Sequence, residues 1–199
     1  MRILVVGANG TIGSAVVNEM KGDTEIIKAS RSNSEIKVDI TSTDSIMRMF
    51  EEVGEIDALV STTGSAHFGP IEGLTPELNR IAVNSKLLGQ INLVLLGLPY
   101  IRDKGSITLT TGILMDDPVV GGASSAMANG GIRAFVKSAA IELPRGIRIN
   151  SVSPNMLEES KEKYGSFFVG FEPVPAKRVA LAYRKSILGS QTGQSYTIY

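Results

Sequence analysis

The sequence predicts an α/β fold: a doubly wound parallel sheet of about seven strands with helices on both faces, three layers in all. Two observations predict it. Ile3 to Val6 is a short, apolar, β-branched run, the pattern of a strand buried on both faces, and Gly7-Ala8-Asn9-Gly10-Thr11-Ile12-Gly13 carries it directly into a helical pattern. Strand-like and helix-like stretches then alternate to the end of the chain, as a parallel sheet with crossover helices requires.

Each element has its own signal. In the first helix Ile12, Val16, Val17 and Met20 fall on one face, and Lys21-Gly22 should close it. Glu25 to Ala29 reads as the second strand and Ile36 to Val38 as the third. Thr41 to Asp44 offers several N-caps, after which Ile46, Met49, Phe50 and Val53 mark a helix that Gly54 ends. Ile56 to Val60 is the fourth strand. Thr75-Pro76-Glu77 is a strong helix start, and the helical stretch runs to about Leu98, in one piece or two. Gly105 to Thr111 is the fifth strand. A helix rich in small residues follows, from about Gly121 to Pro144. Arg148 to Pro154 is the sixth strand, residues 155–175 read as a short mobile cap, Ala176 to Leu188 as the last helix and Gln194 to Tyr199 as the last strand. No linker or repeat divides the chain, so residues 1–199 are expected to form a single domain with a substantial core.

Bulk properties exclude several classes. Net charge is zero, so nothing recommends nucleic acid or an anionic membrane as a partner. The chain has no Cys and one His, which excludes disulfides, thiolate catalysis and multi-His metal sites and fits a cytoplasmic location. No leader is expected, and the run Leu87 to Leu98 is broken by Gln90, Asn92 and Gly97, short of a membrane span.

The glycines point to a ligand. In a strand-to-helix turn, Gly7, Gly10 and Gly13 let phosphates approach the backbone and the helix N-terminus, with Asn9, Thr11 and Ile12 between them. The end of the second strand is where such a Rossmann unit meets the adenosine ribose. Here it reads Ser30-Arg31-Ser32, with no acid. Arg31 suits a 2′-phosphate, so the cofactor is expected to be NADP rather than NAD.

In this order the motifs resemble those of the short-chain dehydrogenase/reductase family, over nearly the whole chain. The resemblance implies that Asp39-Ile40 meets the adenine ring, that Ser61-Thr62-Thr63-Gly64 replaces the family's Asn-Asn-Ala-Gly segment, and that Pro154-Asn155-Met156 enters the nicotinamide pocket. It places Asn84 at the helix Asn of the catalytic tetrad and Thr111 at its Ser. Counting back from Ile141-Glu142-Leu143 puts Ser125 where the family has Tyr and Asn129 where it has Lys. The helix after the fifth strand therefore lacks the family's Tyr-x-x-x-Lys signature; the one such spacing in the chain, Tyr100 to Lys104, precedes that strand. A Ser hydroxyl is a far poorer acid than a Tyr tuned by a neighbouring cation, so the usual proton relay is lost. His67 and Tyr164 are the candidate substitutes, while Lys86, two residues from Asn84, is expected to be a surface charge. The expected function is NADP(H)-dependent oxidation or reduction of a small carbonyl or alcohol. The alternative is a non-catalytic NADP(H)-binding sensor or interaction protein. The resemblance further implies a homodimer or homotetramer.

Overall fold

The computed structural model describes residues 1–22 and 24–199. Seven parallel strands form one sheet in the order β3-β2-β1-β4-β5-β6-β7. They are β1 (Arg2–Val6), β2 (Glu25–Ser30), β3 (Ile36–Lys37), β4 (Ile56–Ser61), β5 (Ile101–Thr110), β6 (Arg148–Pro154) and β7 (Ser195–Ile198). The helices are α1 (Thr11–Glu19), α2 (Thr43–Val53), α3 (Pro76–Ile81), α4 (Gly89–Gly97), α5 (Ala123–Ala139), α6 (Lys161–Tyr164) and α7 (Ala176–Leu188).

Strand alternation splits the core in two. Ile3 and Val5 of β1 join Val16, Val17, Val179 and Tyr183 on the face covered by α1 and α7. Leu4 and Val6 join Phe50, Leu93, Ile132 and Val136 on the face covered by α2, α4 and α5. Both faces of β1 are therefore sealed, which is why its sequence shows no polar alternation. The order reverses between β1 and β4, and the carboxyl ends of those two strands open a crevice there.

Several boundaries differ from the sequence expectation. α1 ends at Glu19 with Met20 as C-cap, so Gly22 (φ 137°) lies two residues beyond the cap and Lys21 is outside the helix. β5 begins at Ile101, four residues early, because Ile101 pairs with Ile56 before the strand register shifts. α5 stops at Ala139, and the chain reaches Pro144 through turns rather than a further helical turn. The long helix is three pieces: α3, a π-helical stretch Ala82–Leu88, then α4. As one rod, Pro76–Tyr100 is 25 residues long and apolar enough by composition to cross a membrane, which corrects the expectation from Leu87 to Leu98 alone. In this fold Gln90, Leu93 and Val94 of that rod are buried against the sheet.

Candidate functional site

At the β1–β4 switch point lies a cavity of about 410 Å³. Its floor is the glycine turn. Gly7 has φ 87°, and a Cβ there would meet Thr62 O at 2.9 Å. A Cβ on Gly13 would meet Gly7 O at 2.1 Å, so the turn closes only with glycine at both positions. Gly10 differs: its φ of −76° is ordinary, and it serves as the N-cap of α1 without a side chain to satisfy the first-turn amides. Thr11, Ile12 and Gly13 form that first turn, which leaves uncapped N–H groups to receive an anion. Ile12 itself packs against the core.

The rim on the β2 side carries Ser30, Arg31, Ser32 and Asn33. Arg31 and Ser32 are exposed. Asn9 holds this loop in place: its Nδ2 lies within hydrogen-bond distance of Ser30 Oγ, Ser32 O, Asn33 O and Ser34 Oγ, at 2.8–3.2 Å. Asp39, Ile40 and Thr41 line the same side. The backbone amide and hydroxyl of Thr41 both donate to the Asp39 carboxylate and hold its pKa below the usual value, so it is an acceptor anchored in its own turn. On the β4 side, Thr62, Thr63 and Gly64 line the cavity, and Thr62 Oγ1 donates to the carbonyls of Val6 and Gly7. Ser61 does not reach it. That side chain is fully buried, its hydroxyl bonded to Thr63 Oγ1 at 2.8 Å.

A second cavity of about 240 Å³ adjoins the first, and Gly64 lines both. Phe68, Met156, Leu157, Tyr164 and Phe168 supply most of its wall, with Ser125, Ser160 and Lys86 as its polar residues. The cap is anchored rather than free at its base. Residues Leu157 and Val174 bridge, Glu159 accepts the Ala176 amide at the start of α7, and Phe68 packs edge-on against Phe167 at 4.8 Å.

Lys86 reaches this cavity because of the π-helical stretch. There the Gly89 amide bonds to the carbonyl of Asn84, five residues back, which widens the turn. Gly64 (φ 118°) presses against the widened turn: a Cβ on it would lie 2.7 Å from Lys86 Cα. Ser85 Oγ accepts the Ser65 amide at 3.0 Å. Buried Gln90 locks the other side, donating to Lys86 O and Thr110 O and accepting from the Thr110 amide. Among the described residues, no hydrogen bond or ion pair reaches the Lys86 ammonium, and burial pushes its pKa down to about 8. The expectation of a surface charge is thus corrected.

The other sequence candidates fall apart in space. Ser125 lines the second cavity, as does Tyr164. Asn84 is exposed on the outside of the π-helical stretch and lines neither cavity. Thr111 is buried and its hydroxyl donates to Val152 O at 3.2 Å. Asn129, four residues on from Ser125, is buried behind the chain, with Nδ2 donating to Gly112 O at 3.3 Å and Oδ1 unpartnered among the described residues. His67 lies between two lining residues, Ala66 and Phe68, but is not itself in the wall. Of the entry segment, Met156 lines the second cavity. Pro154 and Asn155 are buried, and Asn155 donates to Ile198 O and Glu172 O.

Known proteins share this arrangement. A family model described as enoyl-(acyl carrier protein) reductase matches residues 7–182. The crystal structure of protein lin1944 from Listeria innocua is 60% identical over 100% of both chains, with a TM-score of 0.99. A small-chain dehydrogenase in complex with NADPH is 27% identical over 100% of this chain and 96% of its own, with a TM-score of 0.90. A ketoacyl reductase ascribed to the granaticin polyketide synthase of Streptomyces violaceoruber is 22% identical over 83% of this chain and 76% of its length.

Proposed function

This chain belongs to the short-chain dehydrogenase/reductase family of oxidoreductases, and from that premise we propose that it binds NADP(H) and oxidises or reduces a small alcohol or carbonyl compound. The observation that carries the reading is the first cavity: a glycine floor, an uncapped helix N-terminus and a rim of Ser30, Arg31 and Ser32 with no acid at the end of β2. The Gly7 and Gly13 positions, where no side chain fits, match a backbone that must come close to a pyrophosphate. The α1 first turn and Gly10 would hold that group, Arg31 with its serines the 2′-phosphate, and Asp39-Ile40 the adenine. The NADPH complex of a relative supports the same choice. The chemistry this cofactor supplies when bound is hydride exchange with the substrate carbon. The second cavity is small and mostly apolar-walled, which suits a compact substrate.

A second reading keeps the cofactor without turnover, as a sensor or interaction protein. It is favoured by the burial of Thr111 and Asn129 away from both cavities. We further propose a cytoplasmic protein that pairs with a second copy through the outer face of α3–α4, where Ile81, Leu88 and Leu95 stand exposed at seven-residue intervals.

Calorimetric titration of NADPH and NADH tests the cofactor. A charge-assisted contact to the 2′-phosphate is worth about 1.5–3 kcal/mol, so Arg31→Ala should weaken NADPH about 10- to 150-fold and leave NADH within about twofold. Wild-type protein that prefers NADH, or an Arg31→Ala variant that binds NADPH unchanged, overturns the proposal.

A further inference from the structure

Resting on the oxidoreductase reading, we infer that Lys86 is the proton donor to the substrate oxygen, and that the second cavity takes small apolar or aromatic carbonyl compounds.

The geometry carries this. Lys86 stands at the junction of the two cavities: its neighbour Ser85 lines the first, Gly64 lines both, and Lys86 lines the second. Its backbone is fixed on both sides, by Gly64 and by the fully buried Gln90. Among the described residues, no other ammonium or guanidinium lines that cavity, and no carboxylate does. Of the elements packed around it, the loop after β4 brings His67 near but outside the wall, α5 brings Ser125, and the cap brings Tyr164, while the cap's Glu159 lies outside the wall. Glu159 is committed to the Ala176 amide. Tyr164 is the rival donor, yet it sits on a four-residue helix in the cap, tilted against Phe68, with the Lys163 ammonium over its ring at 5.0 Å. The wall of Phe68, Phe168 and Met156 leaves an apolar body as the matching substrate, with its one oxygen directed to the one cation.

The step balances. In reduction the carbonyl carbon accepts the hydride and its C=O π pair moves to oxygen. That oxygen takes a proton from Lys86 Nζ, giving the alcohol and a neutral amine that solvent reprotonates. In oxidation the neutral amine would remove the hydroxyl proton as hydride leaves carbon for the oxidised nicotinamide cofactor of the proposed function. An amine whose burial lowers its pKa to about 8 is poised for both directions near neutrality.

The test follows NADPH absorbance with propanal, benzaldehyde and 2,3-butanedione from neutral to alkaline pH, beside the NADPH dissociation constant of each variant. Wild-type kcat for reduction should hold level at neutral pH and fall above about pH 8, because the donor is lost there. Lys86→Met should lower kcat about 100-fold or more with NADPH affinity within about twofold. Lys86→Arg keeps the charge but cannot release a proton at these pH values, so it should also lose kcat and the alkaline inflection while retaining KM. Tyr164→Phe, a change in the cavity wall itself, should keep the alkaline inflection, whereas loss of that inflection would make Tyr164 the donor. Lys86→Met above about a tenth of wild-type kcat, an inflection that survives in Lys86→Arg, or a wild-type protein that turns over none of the probes overturns the assignment. NADPH affinity, measured separately, then tells whether the cofactor reading stands without it.

Discussion

Replacing Lys86 with methionine should stabilise the protein. Burial lowers the Lys86 pKa from 10.5 to about 8. The folded state therefore binds this proton more weakly than the unfolded chain. Between the two values the unfolded chain holds more protons, so stability rises with pH through that window, and below it the full penalty applies. At about 1.4 kcal/mol per tenfold change in proton affinity, the penalty at neutral pH is at most about 3.5 kcal/mol. The side chain is only partly shielded from solvent, so about 1–3 kcal/mol is the usable range. Methionine keeps an unbranched apolar stem and has no charge to desolvate. For a chain of this size each kcal/mol moves Tm by about 2–4 °C, so Lys86→Met should melt roughly 2–12 °C higher at neutral pH. The assay is paired thermal and urea unfolding of both proteins, at neutral pH and again above the unfolded lysine pKa. Titration of every other group is common to the pair and cancels. The advantage should shrink as pH passes from about 8 to 10.5 and vanish beyond it. A variant no more stable at neutral pH, or one whose advantage ignores pH, refutes the reasoning. Confirmation would mean that the fold gives up stability to keep a cation in this cavity, as active sites do.

Two further outcomes follow from the same geometry. Gly13→Ala puts a Cβ 2.1 Å from Gly7 O, a backbone atom that cannot step aside, so the turn must open; NADPH affinity should fall about 100-fold or more by calorimetry, and unchanged affinity would show that the turn is not the pyrophosphate floor. Leu88→Glu introduces a charge into the exposed stripe formed with Ile81 and Leu95. Sedimentation equilibrium should find wild type paired and the variant monomeric, whereas a monomeric wild type would remove the stripe as an interface.

The fold was legible because its signals are local and redundant. The apolar run at Ile3 to Val6 could be buried on both faces only in a parallel sheet, and Thr75-Pro76 marked a helix start whose cap hydrogen bond, Leu78 N to Thr75 Oγ1, is present at 3.3 Å. The first cavity was legible for the same reason: strand, glycine turn, helix and Arg31 all lie close together in sequence. The second cavity was not. Asn84 was placed by the family resemblance, and Lys86 was set aside by α-helical periodicity, under which residues two apart cannot share a face. The π-helical turn breaks that periodicity and brings Lys86 to the cavity while Asn84 stays exposed. The cause of the widened turn lies elsewhere in the chain, in Gly64 pressing from β4 and in Gln90 bonding to the end of β5. The helical pattern of residues 82–90 carries no mark of those contacts, although a Gln among Leu and Ile was a hint that a buried partner existed. Thr111 failed for a simpler reason: it lies just past the end of β5, buried, with its hydroxyl donating to Val152 O of β6, and it lines neither cavity.

Gly64 is the shared wall of two sites. It is one residue thick, it walls both cavities, and it touches the backbone of Lys86 with no slack for even a methyl group. The loop after β4 and the helical rod therefore meet directly at Lys86. A ligand seated against Thr63 and Gly64 would therefore rest on the residue that abuts the turn carrying the lysine. The two cavities thus share a wall one residue thick, and any side chain added there would crowd the turn that carries the lysine.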